Sequence, residues 1–184
     1  MNQLPEGYHE IKRVNLQKDK KVALKINLFA LLLMLPLMII GILIKPIKID
    51  DPVKYLKALL IILVLLIVYV VLHEAVHGIA IFIFTKKKPK FGFTGLYAYA
   101  GSEAYFNKKQ YVIIALAPII VWGVVLLLLN IILPFKIFWI IYFIQVNNIS
   151  GAVGDLYITH IIKKMPPEIL IQDTGIEMTM YSKQ

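Results

Sequence analysis

The segment His73-Glu74-Ala75-Val76-His77 sets two imidazoles four residues apart, with a carboxylate directly after the first. On an α-helix, positions i and i+4 share a face, so both histidines can grip one metal ion. Glu74 then stands where it can take a proton from water activated by that metal, which is the chemistry of a zinc hydrolase. The competing account is a pair of helix histidines satisfied by neighbouring helices. The setting argues against it. The five residues lie in an apolar run, where ionisable side chains are costly and are kept for a reason.

A catalytic zinc takes three protein ligands and leaves one position open. The chain has no cysteine, which excludes disulfides and thiolate ligands and leaves a carboxylate or a further histidine as the third donor. The candidates are Asp155, Glu103, His160 and the acids of the C-terminal tail. Only Asp155 lies well inside an apolar span, in Asn147-Asn148-Ile149-Ser150-Gly151-Ala152-Val153-Gly154-Asp155. Asn148, seven residues earlier, shares the face of Asp155. It serves either as a hydrogen-bond donor to the oxyanion of a tetrahedral intermediate or as a polar contact between helices. Ser150, Gly151, Ala152 and Gly154 predict a close approach of this helix to the one carrying the histidines, and the glycines also loosen it.

These side chains need a frame, and composition says which. Of 184 residues, 59% are hydrophobic and the mean hydropathy is +0.76, far above a soluble domain. The expectation is a single integral-membrane domain over residues 1–184. Its predicted fold is all-α, with four transmembrane helices at about 26–44, 58–84, 111–129 and 137–162 and a short cytoplasmic β-hairpin or strand loop. Each run is long enough to cross a hydrocarbon core of about 30 Å. Pro118 in the third span predicts a kink or close packing. The polar first 25 residues do not have the pattern of a cleavable signal peptide.

The net charge of +9 follows topology rather than a nucleic-acid surface. Lys and Arg number six before the first span, six in 86–110 and three in the tail, against four in 45–57 and one in 130–136. The positive-inside rule therefore predicts a multi-pass protein of the cytoplasmic membrane with both termini and the 86–110 loop in the cytoplasm. Lys86-Lys87-Lys88 is read as part of that pattern. His77 and Asp155 each fall eight or nine residues before the cytoplasmic lysines of their spans, about 12 Å inside at 1.5 Å per residue. The agreement supports one shared site.

Residues 91–106 alternate large and small side chains around Tyr97-Ala98-Tyr99-Ala100-Gly101 and read as a strand or hairpin. It could offer an edge to an extended peptide or act as an aromatic anchor at the interface. Pro166-Pro167 ends the fourth helix, and Glu168-Ile169-Leu170-Ile171-Gln172 reads as a short strand that could pair with the N-terminal segment.

An HExxH in a membrane helix, followed two helices later by an Asn-then-Gly-Asp segment, resembles the site-2-protease-like membrane zinc metallopeptidases. More narrowly, the chain resembles a family of small four-helix membrane proteins named as zincin peptidases. The likeness extends through Lys90-Phe91-Gly92-Phe93, Lys109-Gln110-Tyr111, Ala115-Leu116-Ala117-Pro118, Asn148-Ile149-Ser150-Gly151 and Gly154-Asp155-Leu156-Tyr157. It implies zinc held by His73, His77 and Asp155, Glu74 as general base, and cleavage of substrates in or near the membrane. Site-2 proteases usually carry prolines before an Asp-Gly pair; here there are none, and Leu156 follows Asp155. The expected function is thus a membrane-embedded zinc metalloprotease, engaged in intramembrane proteolysis of a membrane protein or peptide substrate, with the lipid bilayer and no nucleic acid as partner. The competing expectation is a non-catalytic assembly or transport subunit with a structural metal, which would need a closed site with four ligands.

Overall fold

A computed structural model describes residues 1, 3–15, 17–47, 51–95 and 97–183. Residues 48–50, within the 45–57 loop, and residue 96, within 91–106, lie outside the described residues.

Helices form where apolar runs are closed by capping groups. In α1 (Lys20–Ile44), the Asp19 carboxylate accepts from the Val22 N–H at 3.1 Å. In α2 (Pro52–Thr85), Asp51 accepts from the N–H groups of Val53 and Lys54, and Pro52 sits in the first turn, where a missing N–H costs nothing. That helix stops at Lys86, whose φ of 56° is left-handed. In α3 (Lys108–Ile132), Asn107 and Gln110 form a reciprocal capping box. The fourth apolar run is broken: a 3₁₀ turn at Phe135–Ile137 leads into α4 (Phe138–Gly151), and α5 (Val153–Lys163) follows after a break at Ala152.

All four runs are long and apolar enough to cross a membrane, at Lys20–Ile44, Pro52–Thr85, Lys108–Ile132 and Phe135–Lys163. They turn large apolar side chains outward, among them Leu43, Val71 and Ile131, as a bilayer-facing surface would. The helix α2, at 34 residues, is about 51 Å long, well beyond the hydrocarbon thickness. Its final turns lie against the sheet.

That sheet corrects the all-α expectation. Five antiparallel strands run in the order β1 (Tyr8–Val14), β5 (Met178–Lys183), β4 (Leu170–Asp173), β3 (Ala98–Asn107) and β2 (Lys90–Phe93). The 91–106 loop supplies two of them and the polar ends supply three. The tail strand β4 pairs with β3 and β5, and it is β5 that takes the N-terminal strand. The N-terminal segment reads only as polar because β1 is exposed along most of its length and pairs with a strand some 170 residues away, which local pattern cannot reveal.

Phe106, Ile169, Ile171 and Met180 of the sheet side pack on Ile81, Ile114, Ala115 and Ile162 of the helix ends. A second, smaller core deeper among the helices holds Tyr69, Leu126 and Ile144. Helix α1 packs on α4 and α5, whereas α2 packs on α3, α4 and β3. The site lies between the two cores.

Candidate metal centre

His73 and His77 come from one face of α2, and Asp155 from the first turn of α5, where the N-terminal end of a helix favours a carboxylate. Their ligand atoms all lie within 4.8 Å of one another. The Asp155 Oδ2 is 3.6 Å from the Nε2 of each histidine, and the two imidazole rings meet edge-on at 5.1 Å between centroids. Two donors bound at ordinary zinc distances in a tetrahedron lie about 3.3–3.4 Å apart. Two histidine nitrogens and a carboxylate at these separations fit zinc. Among the described residues, this is the group of histidines and acids that could hold a metal. The three side chains keep 14%, 11% and 27% exposure respectively, so the centre is enclosed yet reachable.

Hydrogen-bond directions set both rings. Asn148 is fully buried, and its amide faces the Ile119 carbonyl at 3.4 Å, so that atom must be the donating Nδ2. Its Oδ1 then accepts from the Tyr69 hydroxyl at 2.8 Å. Having given its only proton, the Tyr69 oxygen can only accept from the His73 Nδ1–H, 2.9 Å away. The His77 Nδ1 lies 2.9 Å from the Ile114 carbonyl, which likewise can only accept. Both Nδ1 atoms therefore carry protons, and both Nε2 atoms face Asp155, free to turn a lone pair to a metal. A metal-binding histidine needs this arrangement.

Glu74, His77 and Asp155 line one cavity of about 180 Å³. Ala100 of β3 lines the same cavity, its main chain facing the Glu74 carboxylate. Along Ala98–Gly101, β3 pairs with β2 on one side, and its pairing with β4 begins only at Ser102. Tyr97 to Ala100 thus form a wall of the cavity.

Asn148 is not among the lining residues; its amide is engaged with Tyr69 and Ile119. Glu103 is paired with Lys90 at 2.8 Å on the surface, and His160 is exposed. Of the tail acids, Glu177 is bound by Arg13 at 2.9 Å, while Asp173 lines the cavity. Sequence reasoning held Asp173 only as one tail acid among several. Its carboxylate accepts from the Tyr111 hydroxyl and, at 2.8 Å, from the Gly175 N–H. Burial pushes its carboxyl above the usual range, against the lowering effect of those two donors. Tyr69 was missed as well; its place one turn before His73 was the available signal.

The small residues behave differently from the predicted seam. Ser150 and Ala152 are buried, but a Cβ on Gly151 or Gly154 would meet no atom within 4 Å. Gly154 lines the cavity instead. Close approach occurs elsewhere: Gly78 lies under the Phe91 ring, and Gly41 under Tyr142.

A family model described as "Putative zincin peptidase" matches residues 66–170. No curated protein and no solved structure matches the chain.

Proposed function

The chain belongs to that zincin peptidase family, and from this premise we propose that it is a membrane-embedded, site-2-protease-like zinc metalloprotease that hydrolyses peptide bonds of membrane or membrane-proximal substrates. Membership marks a metallopeptidase in general. The membrane setting rests on the four apolar helices. The lysine distribution supports a cytoplasmic membrane with both termini and the sheet on the cytoplasmic side. The observation that carries the reading is the convergence of His73, His77 and Asp155 beside a cavity shared with Glu74.

His73, His77 and Asp155 would hold zinc. When bound, zinc supplies a Lewis acid that acidifies water and polarises a carbonyl. Glu74 receives the proton of the attacking water at its carboxylate, which faces the cavity beside His77 and Asp155. As the water oxygen bonds to the scissile carbonyl carbon and the C–N bond breaks, Glu74 delivers that proton to the leaving amine nitrogen. Ala98, Tyr99 and Ala100 line the cavity with Glu74, and an extended peptide laid along this part of β3 would find main-chain partners there. His77 lies eight residues before the end of α2 at Thr85, about 12 Å along the helix, so water enters from the sheet end. A purely structural metal would call for a fourth protein ligand, and the described residues bring together three.

The test is a comparison of peptide N-termini in the membrane fraction of cells making wild type or Glu74→Gln. New N-termini that require wild type and vanish with Glu74→Gln are expected. Identical profiles would contradict a protease.

A further inference from the structure

Pro118 lies inside α3 and is fully buried. An interior proline has no N–H, so the carbonyl four residues earlier loses its helical donor. Here that carbonyl belongs to Ile114, and it is the one that faces the His77 Nδ1 at 2.9 Å. A buried carbonyl without a partner is costly, and so is a buried imidazole N–H. Each solves the other's deficit.

We propose that Pro118 is a positioning residue of the metal centre: by withholding an N–H from α3, it gives the Ile114 carbonyl to His77 and fixes the ring with Nε2 turned to Asp155. The inference deepens the zinc reading above and rests on it for its consequence, but not for its geometry. The proline costs α3 one hydrogen bond in its interior, and the His77 contact returns that bond from a neighbouring helix. An alanine at 118 would restore the helical donor. Its N–H would compete for Ile114, and the His77 ring would be freer to exchange its proton between nitrogens or to turn. A contrast is built into the chain. Pro36 stands inside α1 and likewise leaves the Leu32 carbonyl without its helical donor, far from either histidine in sequence.

The experiment is nitrogen NMR of ¹⁵N-histidine protein in detergent micelles, stripped of metal and titrated to a pH at which the imidazoles are neutral, for wild type, Pro118→Ala and Pro36→Ala. The four histidines are assigned by single His→Gln substitutions. Wild type should show His77 as the Nδ1–H form, Pro118→Ala should show a mixture, and Pro36→Ala should match wild type. Zinc affinity by chelator competition should fall about tenfold or more in Pro118→Ala, the scale of a lost outer-shell partner, and stay unchanged in Pro36→Ala. Wild-type His77 in the Nε2–H form would overturn the inference, as would unchanged tautomer and affinity in Pro118→Ala or equal losses in both proline variants. Because the tautomer is read without metal, a wild type that bound no zinc would defeat the protease reading and leave this one standing on its own result.

Discussion

His73 and His77 occupy one turn of one helix and face the same carboxylate, yet they are held by different means. His73 is set by side chains: Asn148 of α4 orders Tyr69, and Tyr69 orders the ring. His77 is set by the main chain of α3 at Ile114. A side-chain relay is specific but can be removed atom by atom, and each loss leaves a buried polar group unpaired. A main-chain carbonyl cannot be mutated away and can only be claimed by another donor. The two rings should therefore fail under different substitutions, while both lose their purpose if Asp155 is lost.

Asp155→Ala gives the largest expected effect and erases the contrast: zinc binding should fall to background in a folded protein, with the outer contacts of both rings intact. Retention of stoichiometric zinc would remove Asp155 from the ligand set. Asn148→Ala should break the side-chain arm alone. It strands Tyr69 in a buried position and should cost about 1–3 kcal/mol of stability, with His73 disordered by NMR and His77 unchanged; equal disturbance of the two rings would show that the arms are not independent. Tyr69→Phe is gentler. Zinc affinity should fall about tenfold, as outer-shell losses do, with the helix itself undisturbed, and unchanged affinity would show that Tyr69 does not order His73.

Two smaller effects lie off the arms. Gly154→Ala fills only open space, so zinc affinity should hold and stability should rise by at most about 1 kcal/mol, the helix cost of glycine. Cleavage should narrow to substrates with smaller groups at that wall, and loss of zinc would contradict this. Asp173 supplies the pH dependence. Its folded value is raised, so its contribution to stability is fully present below the ordinary carboxyl range and is lost as pH rises through the raised value. Stability of Asp173→Asn should vary less with pH from mild acid to neutrality, checked by thermal unfolding across that range. An unaltered pH profile would show the carboxyl takes no part.

What could be read in advance divides along similar lines. The histidines, Glu74 and Asp155 stood out because charge in an apolar span is rare and the helical period places i and i+4 together. The four spans were legible for the same reason. Of the sheet, the strands within 91–106 and 168–172 were legible, whereas β1 and β5 were not, because they meet across almost the whole chain and β1 is exposed along most of its length. Asn148 was visible as a polar residue on the Asp155 face, but its partners are Tyr69 and a carbonyl at Ile119, and partner choice depends on packing. Gly151 and Gly154 suggested a seam from composition alone, whereas space beside a glycine is a property of what surrounds it. Pro118 was noticeable as a helix proline, but which donor takes the carbonyl it frees is decided only once α2 and α3 are side by side.

The most direct test is the zinc content of the detergent-purified protein, measured in parallel for wild type, His77→Ala and Asp155→Ala. One zinc per chain in wild type and none in either folded variant is the predicted result. A folded wild type without zinc, or zinc retained when Asp155 is removed, would contradict the three-ligand centre on which the account rests.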